Sequence, residues 1–248
     1  MTSQTDLEDR LKHSEAELSR IKEEFQDFLY SIAHELSGPL RQASGFSEMI
    51  LRNNEDKLDE KTEKHLNIIL SSALNGRQSL EALRGFSSTL QSGLDIQPNI
   101  DLKTCVEAVL EDLRSENLGQ NADINIRDLP SLSCDPKSIS QLFYQLIKNA
   151  LIFQPATGTP EIKIEALQNP SENLWTFSVT DNGIGVIAHR IDDIFKPFKR
   201  CHSRSEYPGD GLGLTTAKSI VKSHAGNIWI DKTYTEGARV LFTLGDDV

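Results

Sequence analysis

The chain has 248 residues, 38% hydrophobic and 25% charged, the balance of a globular protein rather than a disordered or fibrous one. A formal net charge of −11 argues against sequence-independent binding to nucleic acid, which needs lysine and arginine against phosphate. No run approaches the ~20 apolar residues of a membrane span, and the start of the chain is neither basic nor apolar. Cys105, Cys134 and Cys201 are too scattered for a disulfide framework or a zinc site, so a cytoplasmic protein without direct membrane insertion is expected.

The first ~90 residues favour helix, with a single proline and few β-branched runs. Leu7, Leu11, Ser14, Leu18, Ile21, Phe25 and Phe28 alternate spacings of four and three, a heptad seam. It continues through Ile32, Leu36, Leu40, Ala43, Ser47 and Ile50 with a stutter near Pro39. Pro39 removes the helical partner of the Glu35 carbonyl, so a bend just after His34 is expected. Residues 53–59 are polar and turn-like, and a second seam runs from Thr62 through Leu66, Ile69, Ala73, Gly76, Leu80, Leu83 and Ser87 to Leu90. Two helices joined in this way form a hairpin whose apolar stripe is still wet, and pairing two copies into a four-helix bundle covers it. The expected organisation is a signalling coiled coil over 1–27, a dimerisation domain over 28–92 and a second domain over 96–248.

Ser92-Gly93-Leu94-Asp95 breaks the helix, and strands then alternate with helices. Strands are predicted at Ile96–Ile100, Ile124–Ile126, Glu161–Leu167, Leu174–Thr180, Asn227–Asp231 and Arg239–Leu244. Helices are predicted at Leu102–Glu116, Pro136–Phe153 and Gly213–His224, with Asp135 as an N-cap before Pro136 and Gly226 closing the last. This order implies an α/β sandwich with helices on one face of a mixed sheet, and an α+β chain as a whole.

The heptads turn His34 away from the seam and into solvent, beside Glu35. An imidazole next to a carboxylate can lose one ring proton to it and attack a phosphoryl group through the other nitrogen. His13, His65, His189, His202 and His224 show no metal-ligand spacing and read as surface or structural residues. Asp181-Asn182-Gly183-Ile184-Gly185 follows a predicted strand. Gly209-Asp210-Gly211-Leu212-Gly213 precedes a predicted helix, where backbone amides can face phosphate. Each glycine motif alone also fits an ordinary turn.

Together these motifs resemble a known family. His34-Glu35-Leu36-Ser37-Gly38-Pro39-Leu40-Arg41 resembles the H-box of sensor histidine kinases, especially their phytochrome-like branch. Asn149-Ala150, then Asp181-x-Gly183-x-Gly185, then Ile194-Phe195-Lys196-Pro197-Phe198, then Gly209-x-Gly211-x-Gly213-Leu214 resemble the family's N, first glycine, F and second glycine boxes. The order and spacing match over about residues 28–245.

The resemblance implies a Bergerat-type ATPase fold, shared with gyrase-type and mismatch-repair ATPases. It also implies that ATP phosphorylates His34, with Glu35 as base, before the phosphoryl group passes to a response-regulator aspartate. By the same resemblance Asn149 ligates Mg²⁺ and Phe153 packs on adenine. Asp181 accepts the adenine amino group, with Gly183 and Gly185 letting backbone approach the base. Residues 186–210 form a lid with Phe195 and Phe198 as its apolar contacts. Lys199 and Arg200 meet the triphosphate, and Gly211, Gly213 and Leu214 open the next helix to phosphate. Four departures stand out: Gln145 for a first asparagine, Ile152 for a lysine, Asp210 for a threonine, and Gly38 for the residue that orients water in dephosphorylation. A homodimer, a response regulator receiver domain and an upstream sensor are the implied partners. A phosphotransfer adaptor with a degenerate ATPase domain and a non-catalytic dimerisation module are the rival readings.

Overall fold

The computed structural model describes residues 2–54, 57–91, 94–169, 174–191, 193–202 and 206–245. Ser92 and Gly93, expected to break the helix, lie outside these, as do parts of the 53–59 loop and of the 186–210 segment. The chain divides into two compact units, residues 1–91 and 92–248.

The first unit is a pair of helices, α1 (Thr2–Asn53) and α2 (Glu60–Gln91). Helix α1 runs for 52 residues straight through Pro39, so the proline removes one hydrogen bond without ending the element. One turn earlier the Ser37 hydroxyl bonds the Ala33 carbonyl at 2.6 Å. Asp59 starts α2 by accepting from the Thr62 amide at 3.0 Å and the Thr62 hydroxyl at 2.6 Å. Leu40 lies against Gly76 and Arg84 over the Tyr30 ring, so the two helices run antiparallel.

The seam within this pair coincides with the predicted one at Ser47, Ala73 and Ser87 and adds Gln26, Ala33 and Ser44. Its buried residues are mostly small or polar: Gln26, Ala33, Ser44, Ser47, Ala73 and Ser87. The larger heptad residues Leu18, Ile21, Phe25, Phe28, Leu36 and Ile50 remain exposed. Small residues let two helices approach closely, and the bulky ones are left on a second face.

The second unit carries a five-stranded mixed sheet and a two-stranded one. In chain order its elements are β1 (Gln97–Asp101), α3 (Leu102–Ser115), β2 (Asp123–Ile126), β3 (Ser131–Cys134), α4 (Pro136–Ile152), β4 (Glu161–Asn169), β5 (Leu174–Asp181), a short 3₁₀ turn at Ala188–Arg190, α5 (Gly213–Ser223), β6 (Ile228–Ile230) and β7 (Arg239–Gly245). The large sheet has the order β2-β4-β5-β7-β6, with only the β2–β4 pair parallel. Strand β3, absent from the predicted elements, pairs antiparallel with β1.

Alternation along β4, β5 and β7 sends Ile162, Ile164, Phe177, Val179, Val240, Phe242 and Leu244 to one face, where they join buried residues of α3, α4 and α5 in a single core. Phe177 and Phe242 stack at 5.0 Å, and Phe143 of α4 meets both edge-on at 6.4 and 5.8 Å. Each such buried side chain contributes about 1.5–3 kcal/mol, which fixes α4 on the sheet and so places its C-terminal turn. The other end of α4 is held by Asp135, which accepts from the Lys137 amide and the Ser138 hydroxyl at 3.0 and 2.9 Å. Buried His224 accepts from the Asp135 amide at 3.2 Å and faces the Ile220 carbonyl at 2.9 Å through Nδ1, tying the end of α5 to the start of α4.

Candidate functional site

In the first unit, His34 and Glu35 lie side by side on the solvent face of α1, with side chains 73% and 84% exposed. His34 Nδ1 is 3.9 Å from Glu35 Oε1, an ion-pair distance too long for a hydrogen bond. Both atoms are open to approach by another molecule, and Nε2 points to no described partner.

The second unit contains a cavity built from stretches far apart in sequence. Gln145, Asn149, Ile152 and Phe153 of α4, Asp181 at the end of β5, Gly185, Lys199 and Arg200, and Gly211, Gly213 and Leu214 at the start of α5 all line it. Asp181 is fixed by backbone: its Oδ1 accepts from the Gly183 amide at 2.9 Å and the Ala238 amide at 3.0 Å. Burial pushes its carboxyl above the usual carboxylate range, against the pull of those two amides.

The glycines are required chiefly by close backbone packing. A Cβ on Gly183 would lie 2.3 Å from the Phe153 carbonyl oxygen, which also accepts from the Ile184 amide at 3.0 Å. The first glycine motif thus docks on the last turn of α4, behind the cavity surface. Gly185 takes a φ of +71° and abuts Gly237, and a Cβ on Gly237 would sit 2.0 Å from the Asp181 carbonyl. Gly237 was not among the predicted site residues, because it acts only through the room it leaves. Gly211 has a φ of +78°, a Cβ there would stand 3.1 Å from the Phe198 backbone, and the Phe198 amide donates to the Gly211 carbonyl at 3.0 Å. Gly213 faces Gln145 and Asn149, with the Gln145 Oε1 2.8 Å from where a Cβ would stand.

Several side chains sit differently from expectation. Phe195 packs half-buried on the core beneath Lys218, while Phe198 is 50% exposed with a φ of +60°. The Arg200 guanidinium is turned onto the Tyr207 and Gly209 carbonyls, bracing the loop before α5. Lys199 is exposed at the cavity wall. Asp210 accepts from the Leu212 amide at 2.7 Å, so its carboxylate is engaged by its own turn. His202, Tyr207 and Lys148 also emerge near the site. Lys148 lines the cavity while pairing with Glu116 at 3.2 Å, and the His202 and Tyr207 rings lie against Phe153. They fall in no periodic pattern or glycine motif, so the sequence carried no signal for them.

Among the described residues no cluster of three or more His, Cys, Asp or Glu could hold a metal alone. The amide oxygens of Asn149 and Gln145 at the cavity fit instead a hard divalent cation that takes most of its ligands from phosphate and water.

The family model for the histidine kinase-, DNA gyrase B- and HSP90-like ATPase matches residues 134–247, and that for the His Kinase A (phospho-acceptor) domain matches residues 26–88. Cyanobacterial phytochrome B of Nostoc sp. is 33% identical over 240 residues, covering 96% of this chain and 32% of that protein. The adaptive-response sensory kinase SasA of a Synechococcus sp. is 30% identical over 245 residues, covering 94% and 63%. The chain thus spans about a third of the length of its phytochrome relatives. Among solved structures, the Acinetobacter baumannii histidine kinase AdeS superposes with a TM-score of 0.54 at 24% identity, over 87% of this chain and 98% of that one. Full-length ShkA in complex with AMPPNP gives 0.57 at 20% identity, over 88% and 45%. At these identities the structural likeness is one of fold.

Proposed function

The chain belongs to the histidine kinases, and from that premise we propose that it binds ATP in the α4–α5 cavity and transfers the γ-phosphoryl group to its own His34. The observation that carries this reading is the convergence on one cavity of the second unit of Asn149, Phe153, Asp181 and the Gly211–Gly213 turn, in a chain whose first unit exposes His34 beside a carboxylate.

Asp181, with Oδ1 occupied by two amides, has its other oxygen to accept from the amino group of adenine. The Phe153 ring supplies an apolar face for the base. Backbone amides at the start of α5, where no side-chain cap competes, face the phosphates. Mg²⁺ held through Asn149 would neutralise phosphate charge. Nε2 of His34 attacks the γ-phosphorus in line, the bond to the bridging oxygen breaks, and ADP leaves. Glu35, on the Nδ1 side, takes the imidazole proton.

The phosphoryl group then moves to an aspartate of a response regulator. A second copy of the chain covers the exposed apolar face of the helical pair and makes the four-helix bundle. The expected setting is the cytoplasm, with the signal arriving from a sensor region or protein; no described helix is long and apolar enough to cross a membrane.

The test is incubation with γ-labelled ATP and Mg²⁺. Acid-labile, base-stable label on the wild type, absent from both His34→Ala and Asn149→Ala, is the expected result. Label that persists in His34→Ala would place the acceptor elsewhere, and a wild type that neither binds ATP nor takes label would leave the adaptor reading.

A further inference from the structure

His202 has no part in the mechanism above, yet it lines the same cavity as Asp181 and Asn149. Its Nε2 is buried and has no hydrogen-bond partner. Among the described residues only Gln26 and Thr215 share that condition, and neither lines this cavity. A buried polar atom that has given up water and received nothing in return calls for an explanation, and a missing ligand is one.

The ring's surroundings point to which ligand. Its centroid is 6.1 Å from the Phe153 ring and 5.4 Å from the Tyr207 ring, and Tyr207 is itself 5.4 Å from Phe153. The three rings form one aromatic cluster, of which Phe153 and His202 line the cavity. Arg200 holds the backbone that carries two of them: its Nε donates to the His202 carbonyl at 3.4 Å, and its guanidinium bonds the Tyr207 carbonyl. The His202 ring is therefore presented by a braced loop.

We propose that His202 is a nucleotide ligand, with its Nε2 hydrogen-bonded to the nucleoside part of a purine nucleotide bound beside the Phe153–His202–Tyr207 cluster. The proposal rests on the ATP-binding reading and assigns the base-side contact that the loop before α5 contributes. A neutral imidazole nitrogen can accept or donate, which suits a purine ring nitrogen or a ribose hydroxyl.

The experiment is equilibrium binding of ADP and of adenosine to the full chain, comparing wild type, His202→Phe, His202→Gln and Asp181→Asn. His202→Phe keeps a ring for stacking and loses the nitrogen. It should weaken ADP and adenosine by the same factor, about threefold to tenfold, the worth of one neutral hydrogen bond. His202→Gln, which keeps a polar atom, should recover part of that loss. Wild-type affinity in His202→Phe, with binding still lost in Asp181→Asn, would overturn the proposal and leave the ATP reading standing. A loss confined to ADP would overturn it too, since that would place the contact at the phosphates. A wild type that binds neither compound would fell the ATP reading itself. If His202→Phe does not fold, the imidazole ¹⁵N resonances of wild-type His202 decide: they move on ADP titration if Nε2 is a ligand and stay put if it is not.

Discussion

Asp181 carries a burial cost that, on the proposed function, serves the ligand rather than the fold. Its carboxyl is raised by burial, so the folded chain takes up a proton at a higher pH than the unfolded chain does. Between those two pKa values stability therefore rises as pH falls, and above them the ionised group is a standing cost. On the proposed function, ligand affinity has the opposite sign, because protonation would remove the charged acceptor for the adenine amino group. Asp181→Asn keeps an oxygen for the Gly183 and Ala238 amides and sheds the desolvation cost. It should leave the thermal midpoint of the empty protein unchanged or higher and weaken ADP by about 10- to 100-fold, the worth of a charge-assisted hydrogen bond. Melting curves and ADP titrations across about pH 4 to 8 check both halves, and a variant that binds ADP normally would remove Asp181 from the site. The sequence revealed this residue, because a carboxylate followed by spaced glycines restricts residue type at each position. It revealed Gly183 and Gly213 as glycines without the reason, which is the Phe153 carbonyl in one case and the Gln145 side chain in the other. His202 and Tyr207 stayed hidden because their importance comes from where an irregular loop returns to α4.

At the scale of elements, periodicity found what periodicity can find. Helices α3, α4 and α5 begin where predicted, since Asp101 and Asp135 cap the first two and Gly213 opens the third. Strand β3 escaped because four residues, Ser131–Cys134, hold too few alternations to stand out. Within the helical pair the heptads marked helix and placed Ser47, Ala73 and Ser87 in the seam, but missed Gln26, Ala33 and Ser44, because serine, alanine and glutamine carry little hydrophobic signal. The turn before β7 is an unforgiving join between elements. Gly237 lies against the Asp181 carbonyl, where the obstacle is backbone and cannot swing aside. Gly237→Ala should therefore destabilise the second unit by about 1–3 kcal/mol or more, seen as a lowered melting transition. A variant melting with the wild type would mean that the two strands can part there at no cost.

The molecule as a whole carries a question that neither unit answers alone, namely what covers the bulky face of α1. Leu18 is 68%, Phe28 58% and Leu36 48% exposed, a stripe too apolar to be left to water. A second copy of the chain is the cover proposed above. Phe28→Glu should then shift the protein from dimer to monomer in light scattering while ADP binding by the second unit persists. A dimer that survives the substitution would move the interface elsewhere. The two-unit organisation was readable from the change of residue period after residue 92; the occupant of the stripe was not, because a single chain records a surface and not its partner.

The pairing of β7 with β5 also sets an order of events during synthesis. The amide of Ala238, just before β7, is one of the two that hold the Asp181 carboxylate, and β7 comes later in the chain than any other element around the cavity. The helical pair ends some 150 positions earlier. On a translating ribosome it can therefore fold, display His34 and meet a neighbouring nascent chain before a complete nucleotide site exists. On the proposed function, assembly thus has a window in which the candidate acceptor is already present and the site for its phosphoryl donor is not.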